Sequence, residues 1–505
     1  MIQRLAPALR LALLAAAAPS VAFAVGPDYR RPDVPLTPAY HAGQPLLAVQ
    51  PGPPTTELDA WWRAFGDPVL AKLVERALAQ NLDIEQARAR VLQSRAAARA
   101  AGAALLPEAR VTASSAQVEQ SLESPIGEIL RHTGGSRSYG ELAVGAEASW
   151  EIDLFGGLRR GREAARADAL AAERQADAIR VSVAAETADA YLQARAFQSR
   201  LAVARRQEQV QQDLVDLLVR RADEGVSAER ELREARAAFE GVRATIPPLT
   251  SGLDAGLNRL DVLMGAQAGT YRAELAQAAP EPILPSLAVR ETPADLLRRR
   301  PDVLAAEQRL VAANARIGAS IADYYPKVSV SGLLGVASLG AGPLFGASAL
   351  THQVGAGLSW RLFDFGRVDA EVAQARGREA EALAAYRQTV YRATEEVEDA
   401  FTAMVQQEAR AEALSRQIEQ LTVARQQAQD AYTGGVTSLV EVRDADRELL
   451  AASDQLVQAR ADAARAAVAA FRALGGGWSA PNGQAAGLKV QTSAANPNVA
   501  FLGRR

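Results

Sequence analysis

The sequence predicts a mixed α+β membrane protein, internally duplicated, in which long coiled-coil helices form a tunnel wall and four β-strands per chain contribute to a shared transmembrane barrel. Three observations carry that prediction. The stretch Ser149-Trp150-Glu151-Ile152-Asp153-Leu154-Phe155-Gly156-Gly157 returns 210 residues later as Ser359-Trp360-Arg361-Leu362-Phe363-Asp364-Phe365-Gly366-Arg367, a period far longer than the roughly 20 to 50 residues of a solenoid repeat. Each copy closes a pair of strand-length segments that alternate apolar with polar or small residues. Each copy also opens a helical run about 100 Å long at 1.5 Å per residue.

Composition agrees with long helices. Aromatic residues are only 5% of the 505-residue chain, and alanine, the best helix former, lets helix backbones approach closely. A net charge of -3 offers no electrostatic basis for binding nucleic acid. With no cysteine, disulfides, thiolate chemistry and cysteine metal sites are excluded.

In chain order, residues 1–24 read as a secretory signal: Arg4 and Arg10, an apolar run from Leu11 to Ala18, and a small-x-small cleavage site at Ala22-Phe23-Ala24. No later run approaches the roughly 20 apolar residues of a membrane helix, so any membrane entry is by strands. A proline-rich arm follows at 25–60, either a disordered linker or a strap along a larger body. The first structural repeat spans 61–264. Its opening helix starts at Asp67-Pro68, a favoured cap and first turn, breaks near Asn81, and ends at Pro107. A β-hairpin is predicted over about 108–155. Leu142, Val144, Ala146, Ala148, Trp150, Ile152 and Leu154 are expected on one face and Glu141, Ala143, Gly145, Glu147, Ser149, Glu151 and Asp153 on the other. Between its strands is a polar loop holding His132 to Ser136. Helix then runs from about Leu158 to Asp223, with Ala190, Phe197, Ala204 and Leu218 in one register interrupted by Gln211. Gly225-Val226-Ser227 turns the chain into a returning helix.

A proline-containing linker at 265–300 separates the second repeat, 301–474. Here Tyr325-Pro326 stops the opening helix, a hairpin covers about 327–364, and His352 falls in its distal loop. The long helix carries a heptad seam through Val390, Val397, Met404, Ala411 and Ile418, with Ala393, Ala400, Leu414, Leu421 and Ala428 between. Gly434-Gly435-Val436-Thr437 makes the second turn. Everything from Gly475 to Arg505 reads as a flexible tail.

The hairpins need an apolar surrounding that the amphipathic helices, engaged along their own seams, do not supply. A bilayer does, and strands of about ten residues fit it. Four strands alone would leave unpaired edges in lipid. Two copies would give eight strands and a filled interior; three would give twelve and room for a channel.

Trp61-Trp62-x-x-Phe65-x-Asp67-Pro68, Pro293-x-x-Leu296-Leu297-x-x-Arg300-Pro301-Asp302, Tyr325-Pro326 and the paired Trp-x-x-x-x-Phe-Gly strand ends resemble the outer-membrane efflux proteins, the TolC-like channels of tripartite pumps, and within them the OprM-like branch, also called NodT-type. The resemblance covers about residues 25 to 475. It implies a homotrimer in outer-membrane lipid with a twelve-stranded barrel and a periplasmic helical tunnel. It also implies a periplasmic adaptor docking at the tips Gly225, Val226, Ser227 and Gly435, Val436, Thr437, and an inner-membrane transporter of the resistance-nodulation-division type. Asp223, Glu224 and Asp430 are the candidate periplasmic aperture, with solvated helix-end charges as the plainer alternative. Trp150, Phe155, Gly156, Trp360, Phe365 and Gly366 mark the barrel-to-helix junctions; the two tryptophans are either interfacial anchors or core aromatics. That branch usually carries a lipidated cysteine where Ala24 stands here, so lipidation is excluded and ordinary cleavage after Ala24 is expected. His132 and His352 lack companion ligands for a metal. No hydrolase, metalloprotease or phosphate-binding motif occurs, and no cofactor is expected. The expected function is a passive exit duct for drugs or other small toxic compounds. The alternatives are a periplasmic coiled-coil adaptor or scaffold without a pore, and a channel of the same fold for protein secretion.

Overall fold

The computed structural model describes residues 24–43, 45–46, 58–224, 229–275, 283–285, 287, 292–339 and 344–479. The signal up to Phe23, the tip Gly225-Val226-Ser227 and the chain beyond Ser479 lie outside the described residues. The repeat is visible as two helix–hairpin–helix–helix units. In the first, α1 (Pro68–Gln80) and α2 (Leu82–Ala103) lead into β1 (Glu108–Glu119), a short α3 (Pro125–Thr133) and β2 (Ser138–Ile152). The long α4 (Gly157–Asp223) follows, and the chain returns through α5 (Glu229–Arg243) and α6 (Ile246–Leu263). In the second, a short α7 (Pro293–Arg299) precedes α8 (Pro301–Ala322), β3 (Lys327–Ser338), β4 (Leu350–Ser359), the long α9 (Arg367–Thr433) and the returning α10 (Leu439–Ala473). Both long helices have 67 residues, or about 100 Å.

The polar loop expected between β1 and β2 is in part a helix. Ser124 accepts from the Gly127 amide at 3.1 Å to cap α3, Pro125 takes the first turn, and Gly134 ends it in the left-handed region at φ 66. This start-and-stop chemistry outweighs the polar composition. His132 therefore sits in the last helical turn, its Nδ1 2.9 Å from the Glu128 carbonyl oxygen. His352 is also not in a loop: it lies on β4 opposite Leu334. The return of the first repeat is broken at Ala244-Thr245 ahead of Pro247-Pro248, whereas α10 runs on unbroken.

The stretch from Gly475, expected to be tail, begins inside the core. The Gly477 amide donates to the Leu58 carbonyl at 2.8 Å, and Trp478 is buried. A side chain on Gly476 would come within 2.8 Å of Trp61, whose indole stacks on Phe471 at 5.1 Å. The glycines are there to let the chain lie against an indole. This equatorial cluster explains the Trp-Trp-x-x-Phe-x-Asp-Pro motif: Trp61, Trp62 and Phe65 are all buried. Asp67 Oδ1 accepts from the Val69 and Leu70 amides at 2.8 and 3.2 Å, while Oδ2 accepts from the Tyr191 hydroxyl at 2.6 Å. Burial and that carboxylate together raise the Tyr191 pKa.

The Arg-Pro-Asp block works in the same layer. Arg300 is buried and forks onto Asp302, Nε to Oδ1 at 3.0 Å and Nη2 to Oδ2 at 2.7 Å. Its Nη1 reaches Glu396 on α9 at 2.8 Å and the Ala473 carbonyl at the end of α10 at 3.0 Å. One guanidinium thus joins three helices. Arg300→Ala should destabilise the detergent-solubilised protein by about 3 kcal/mol, the low end for breaking a buried pair because both carboxylates keep some water. Arg300→Lys should recover only part of it, since an ammonium cannot fork; denaturant midpoints of the three proteins measure this.

Candidate functional site

The four strands form one antiparallel sheet in the order β1-β2-β3-β4. Pairing of β2 with β3 joins the two hairpins. The register places Val111, Val144, Val336 and Val330 on the same face as Trp150, Leu334, Val354 and Leu358, a mainly apolar face interrupted toward the hairpin loops by His352 and Ser115. The other face carries Arg110, Glu147, Ser149, Glu151, Lys327, Ser329 and Ser331, with Arg110 Nε 3.0 Å from Glu147 Oε2. Among the described residues no helix packs extensively on either face. None of the described helices is long and apolar enough to cross a membrane.

The seam between sheet and helices repeats with variations. Trp150 Nε1 donates to the Leu105 carbonyl at 3.0 Å, and Trp360 Nε1 donates to the Tyr324 carbonyl at 3.0 Å. Each indole thus satisfies a carbonyl that the ending helix leaves open just before a proline. Both tryptophans thus tie the end of a strand to the end of a helix. Gly156 and Gly366 precede the long helices at φ 82 and φ 85, a conformation natural to glycine alone. Having no side chain to cap with, each glycine is served by a carboxylate upstream. Asp153 accepts from the Leu158 and Arg159 amides at 3.2 and 2.9 Å; Asp364 accepts from the Gly366 and Val368 amides at 3.1 and 2.8 Å. The Val368 amide is the main reason the Asp364 pKa is lowered. The two aspartates are one position out of step in the repeat, and the backbone differs accordingly: Phe365 has φ 55, the one non-glycine residue described with positive φ. Phe155 stacks on Tyr325 at 4.5 Å, joining the first repeat to the second, whereas Phe365 is 100% exposed.

Sequence reasoning missed what the arm does at this seam. The Val25 amide donates to the Phe155 carbonyl at 3.0 Å. Buried Arg160 reaches the Val25 carbonyl at 3.3 Å and Asp28 at 2.7 Å. Farther along, Arg31 pairs with Glu307 at 2.6 Å, and Glu398 accepts the His41 and Ala42 amides at 2.7 and 2.9 Å. The described part of the proline-rich segment is a strap. Ala24, the expected processing site, lies against Gly156, where a side chain would meet its Cα at 2.6 Å.

At the opposite end, the second tip is a Schellman motif. Gly435 has φ 71, its amide donates to the Tyr432 carbonyl at 3.0 Å, and the Val436 amide donates to the Ala431 carbonyl at 2.9 Å. Val436 is exposed and Thr437 half-buried. Asp430 is exposed and accepts from Gln426 at 3.0 Å; Asp223 and Glu224 are exposed at the end of α4. The two hairpins pack side by side through Val215, Leu218, Leu439 and Val442, and Arg221 hydrogen-bonds to Tyr432 across them. The heptad seam of α9 is deeply buried at Val390, Val397 and Met404 but only half-buried at Ala411, Ile418, Leu421 and Ala428. Gln211, expected to interrupt the α4 register, is buried like its apolar neighbours.

Known proteins share this arrangement. A family model described as outer membrane efflux protein matches residues 73–266 and 292–476. The pyoverdine export outer membrane protein OpmQ of Pseudomonas putida is 30% identical over 423 residues, covering 83% of this chain and 88% of the relative. The toluene efflux pump outer membrane protein TtgF, from another strain of Pseudomonas putida, is 30% identical over 461 residues, covering 90% and 93%. The solved outer-membrane channel OprN superposes with a TM-score of 0.81 at 34% identity, covering 90% of this chain and 99% of that one.

The seam yields a graded expectation. Gly366→Ala should cost about 1–2 kcal/mol for the left-handed backbone alone. Gly156→Ala should cost more, because its methyl group also displaces Ala24. Thermal midpoints compare the two, and faster proteolysis within the arm should accompany only Gly156→Ala.

Proposed function

The chain belongs to the outer membrane efflux protein family and is a subunit of an outer-membrane efflux channel, and we propose that three copies close a twelve-stranded barrel continued by a helical tunnel, the passive exit duct of a tripartite pump. One observation carries this reading: among the described residues, a sheet mainly apolar on one face, covered by a helix on neither, and unpaired along the outer edges of β1 and β4. In hydrocarbon every backbone donor and acceptor must be paired within the protein. Closure among copies is the remaining solution. Twelve strands leave an open lumen where eight would be filled by side chains.

In that assembly the charged and hydroxyl face of the sheet lines water and the valine face meets lipid. The tip Gly435-Val436-Thr437, at the end of the helices opposite the sheet, and the turn Gly225-Val226-Ser227, which lies outside the described residues, offer the docking surface for a periplasmic adaptor, which connects to an inner-membrane transporter of the resistance-nodulation-division type. Asp223, Glu224 and Asp430 would converge at the periplasmic aperture. The relatives' names speak of toluene and of pyoverdine, two very different molecules; a wide polar lumen of this kind passes small compounds with little discrimination. Selectivity then resides in the transporter.

Purified trimer in a planar bilayer should conduct, and Asp430→Asn combined with Asp223→Asn should raise the open fraction by weakening the charge-assisted hydrogen bonds that carboxylates make across a closed aperture. Absence of conductance in both proteins would sink the channel reading.

A further inference from the structure

The returning arm of the first helical hairpin is broken where that of the second is not. Pro247 and Pro248 bring no amide hydrogen, so the carbonyls of Arg243 and Ala244 lose their helical donors, and the chain divides there into α5 and α6. The start of α5 and the end of α6 both correspond to α10 at an offset of 210 residues, 439 minus 229 and 473 minus 263. At the places matching the two prolines, α10 carries Val457 and Gln458 and runs on without a break.

A cavity of 810 Å³ lies at this break, walled by α4, by α5 and α6, and by α10. Packing closes it at both ends. Toward the equator Leu201, Ala204 and Leu249 form one cluster; toward the tips Val215, Leu218, Ala235, Leu439 and Val442 form another. About 16 Å of α4 separates Ala204 from Val215, and Gln211 lies between them. Gln211 lines the cavity and is only 5% exposed, and its Oε1 is buried with no hydrogen-bond partner among the described residues. An unpaired buried amide costs about 1–3 kcal/mol. Its counterpart on α9 is Leu421, so the helical register itself does not call for an amide there. Three arginines line the cavity, and each faces a carboxylate. Arg200 forks onto Asp454 at 2.7 and 3.0 Å, Arg443 reaches Glu234 at 3.2 Å, and Arg447 reaches Asp444 at 3.3 Å. Among the lining residues no charge of either sign is left to receive an ion. Much of the remaining wall is apolar, with Phe197, Val203, Val242, Pro248 and Leu450.

We infer that this cavity is a binding site for a neutral, largely apolar molecule carrying an N–H or O–H group that donates to the Gln211 side-chain carbonyl. The volume falls within the range of about 300–1,000 Å³ that holds drug-sized ligands. An ion is disfavoured, because it would give up its water without finding an unpaired partner. The last torsion of a glutamine is broad, so Oε1 can turn to a donor presented from the cavity. A bound molecule touches both helical hairpins at once and fills the gap between the two clusters. The site is complete within one chain, so it stands apart from how many copies assemble and from whether they conduct.

A chain without cysteine allows a local test in the full-length protein. Ala451→Cys on α10 and Ala238→Cys on α5 place thiols in the cavity wall, while Ala237→Cys, on an exposed neighbour, lies outside it. The probe is N-phenyl-1-naphthylamine, which is neutral and has one N–H. At ten times its dissociation constant it should slow alkylation of both wall variants by N-ethylmaleimide about tenfold, and leave Ala237→Cys unchanged. 8-Anilino-1-naphthalenesulfonate, the same rings with a negative charge, should protect far less. Gln211→Leu, which installs the side chain of the second repeat, removes an unpaired amide and should keep the fold. It should nevertheless weaken binding of the naphthylamine about tenfold, the worth of one hydrogen bond. Binding of 1-phenylnaphthalene, which has no N–H, should not fall with that substitution. The proposal is overturned by equal slowing in all three variants, by no protection of either wall variant, by equal protection from the sulfonate, or by a Gln211→Leu protein that binds the naphthylamine as before.

Discussion

A β-sheet in hydrocarbon has no water to pair its edges, and the architecture of this chain follows from that constraint. Neither hairpin is a membrane protein alone, nor is the four-stranded sheet they form together. Each edge strand presents a row of backbone groups whose desolvation costs several kcal/mol apiece. Closing the sheet around an axis removes the edges, and the strand number needed for an open lumen then dictates several chains.

The long helices inherit the same geometry. Above the equator the order α2, α4, α8, α9 matches the strand order, and below it α5 and α6, α4, α10, α9 continue the wall. The helices do not fold back over the sheet; they extend its curvature downward. The burial of the α9 seam at Val397 and its partial exposure at Ile418 fits a wall whose lower half has only one layer of neighbours within a chain. The equatorial cluster around Trp61, Phe471 and Arg300 is the thickest part of the chain, where the strap, the short helices and the chain after α10 come together. Thermodynamic stability is concentrated there, while the tips are joined by the small cluster of Val215, Leu218, Leu439 and Val442.

Much of this is legible in the residues because periodicity reports the solvent on each face. Alternation along β2 locates the lipid face to the residue, and the heptad of α9 locates its buried seam. What escapes is chemistry without a period. Capping by Ser124 and Pro125 makes a helix in a segment that composition marks as loop. Gly475 to Gly477 look like tail because glycine signals flexibility in isolation; next to a stacked indole it signals close approach. His352 reads as loop because the run preceding β4 is too short and too glycine-rich to show where the strand begins. The aspartates that serve Gly156 and Gly366 lie within the duplicated stretch, but their one-residue offset hides a shared role.

That offset bears on the seam itself. The Trp-to-Phe-Gly passage makes three separate connections: indole to the carbonyl of the incoming helix, carboxylate to the amides of the outgoing one, and phenyl ring to the neighbouring repeat. The first two are internal to each repeat and appear in both. The third crosses between repeats and is completed within the chain only at Phe155. Near Gly156 the strap adds a fourth, seating Ala24 and Val25 against the junction through Arg160. Ala24 and Val25 are thereby held at the junction of sheet and helices by hydrogen bonds and an ion pair. The glycine that turns strand into helix also makes room for that attachment, so the second repeat, whose Gly366 has no such neighbour, keeps the turn without the clasp.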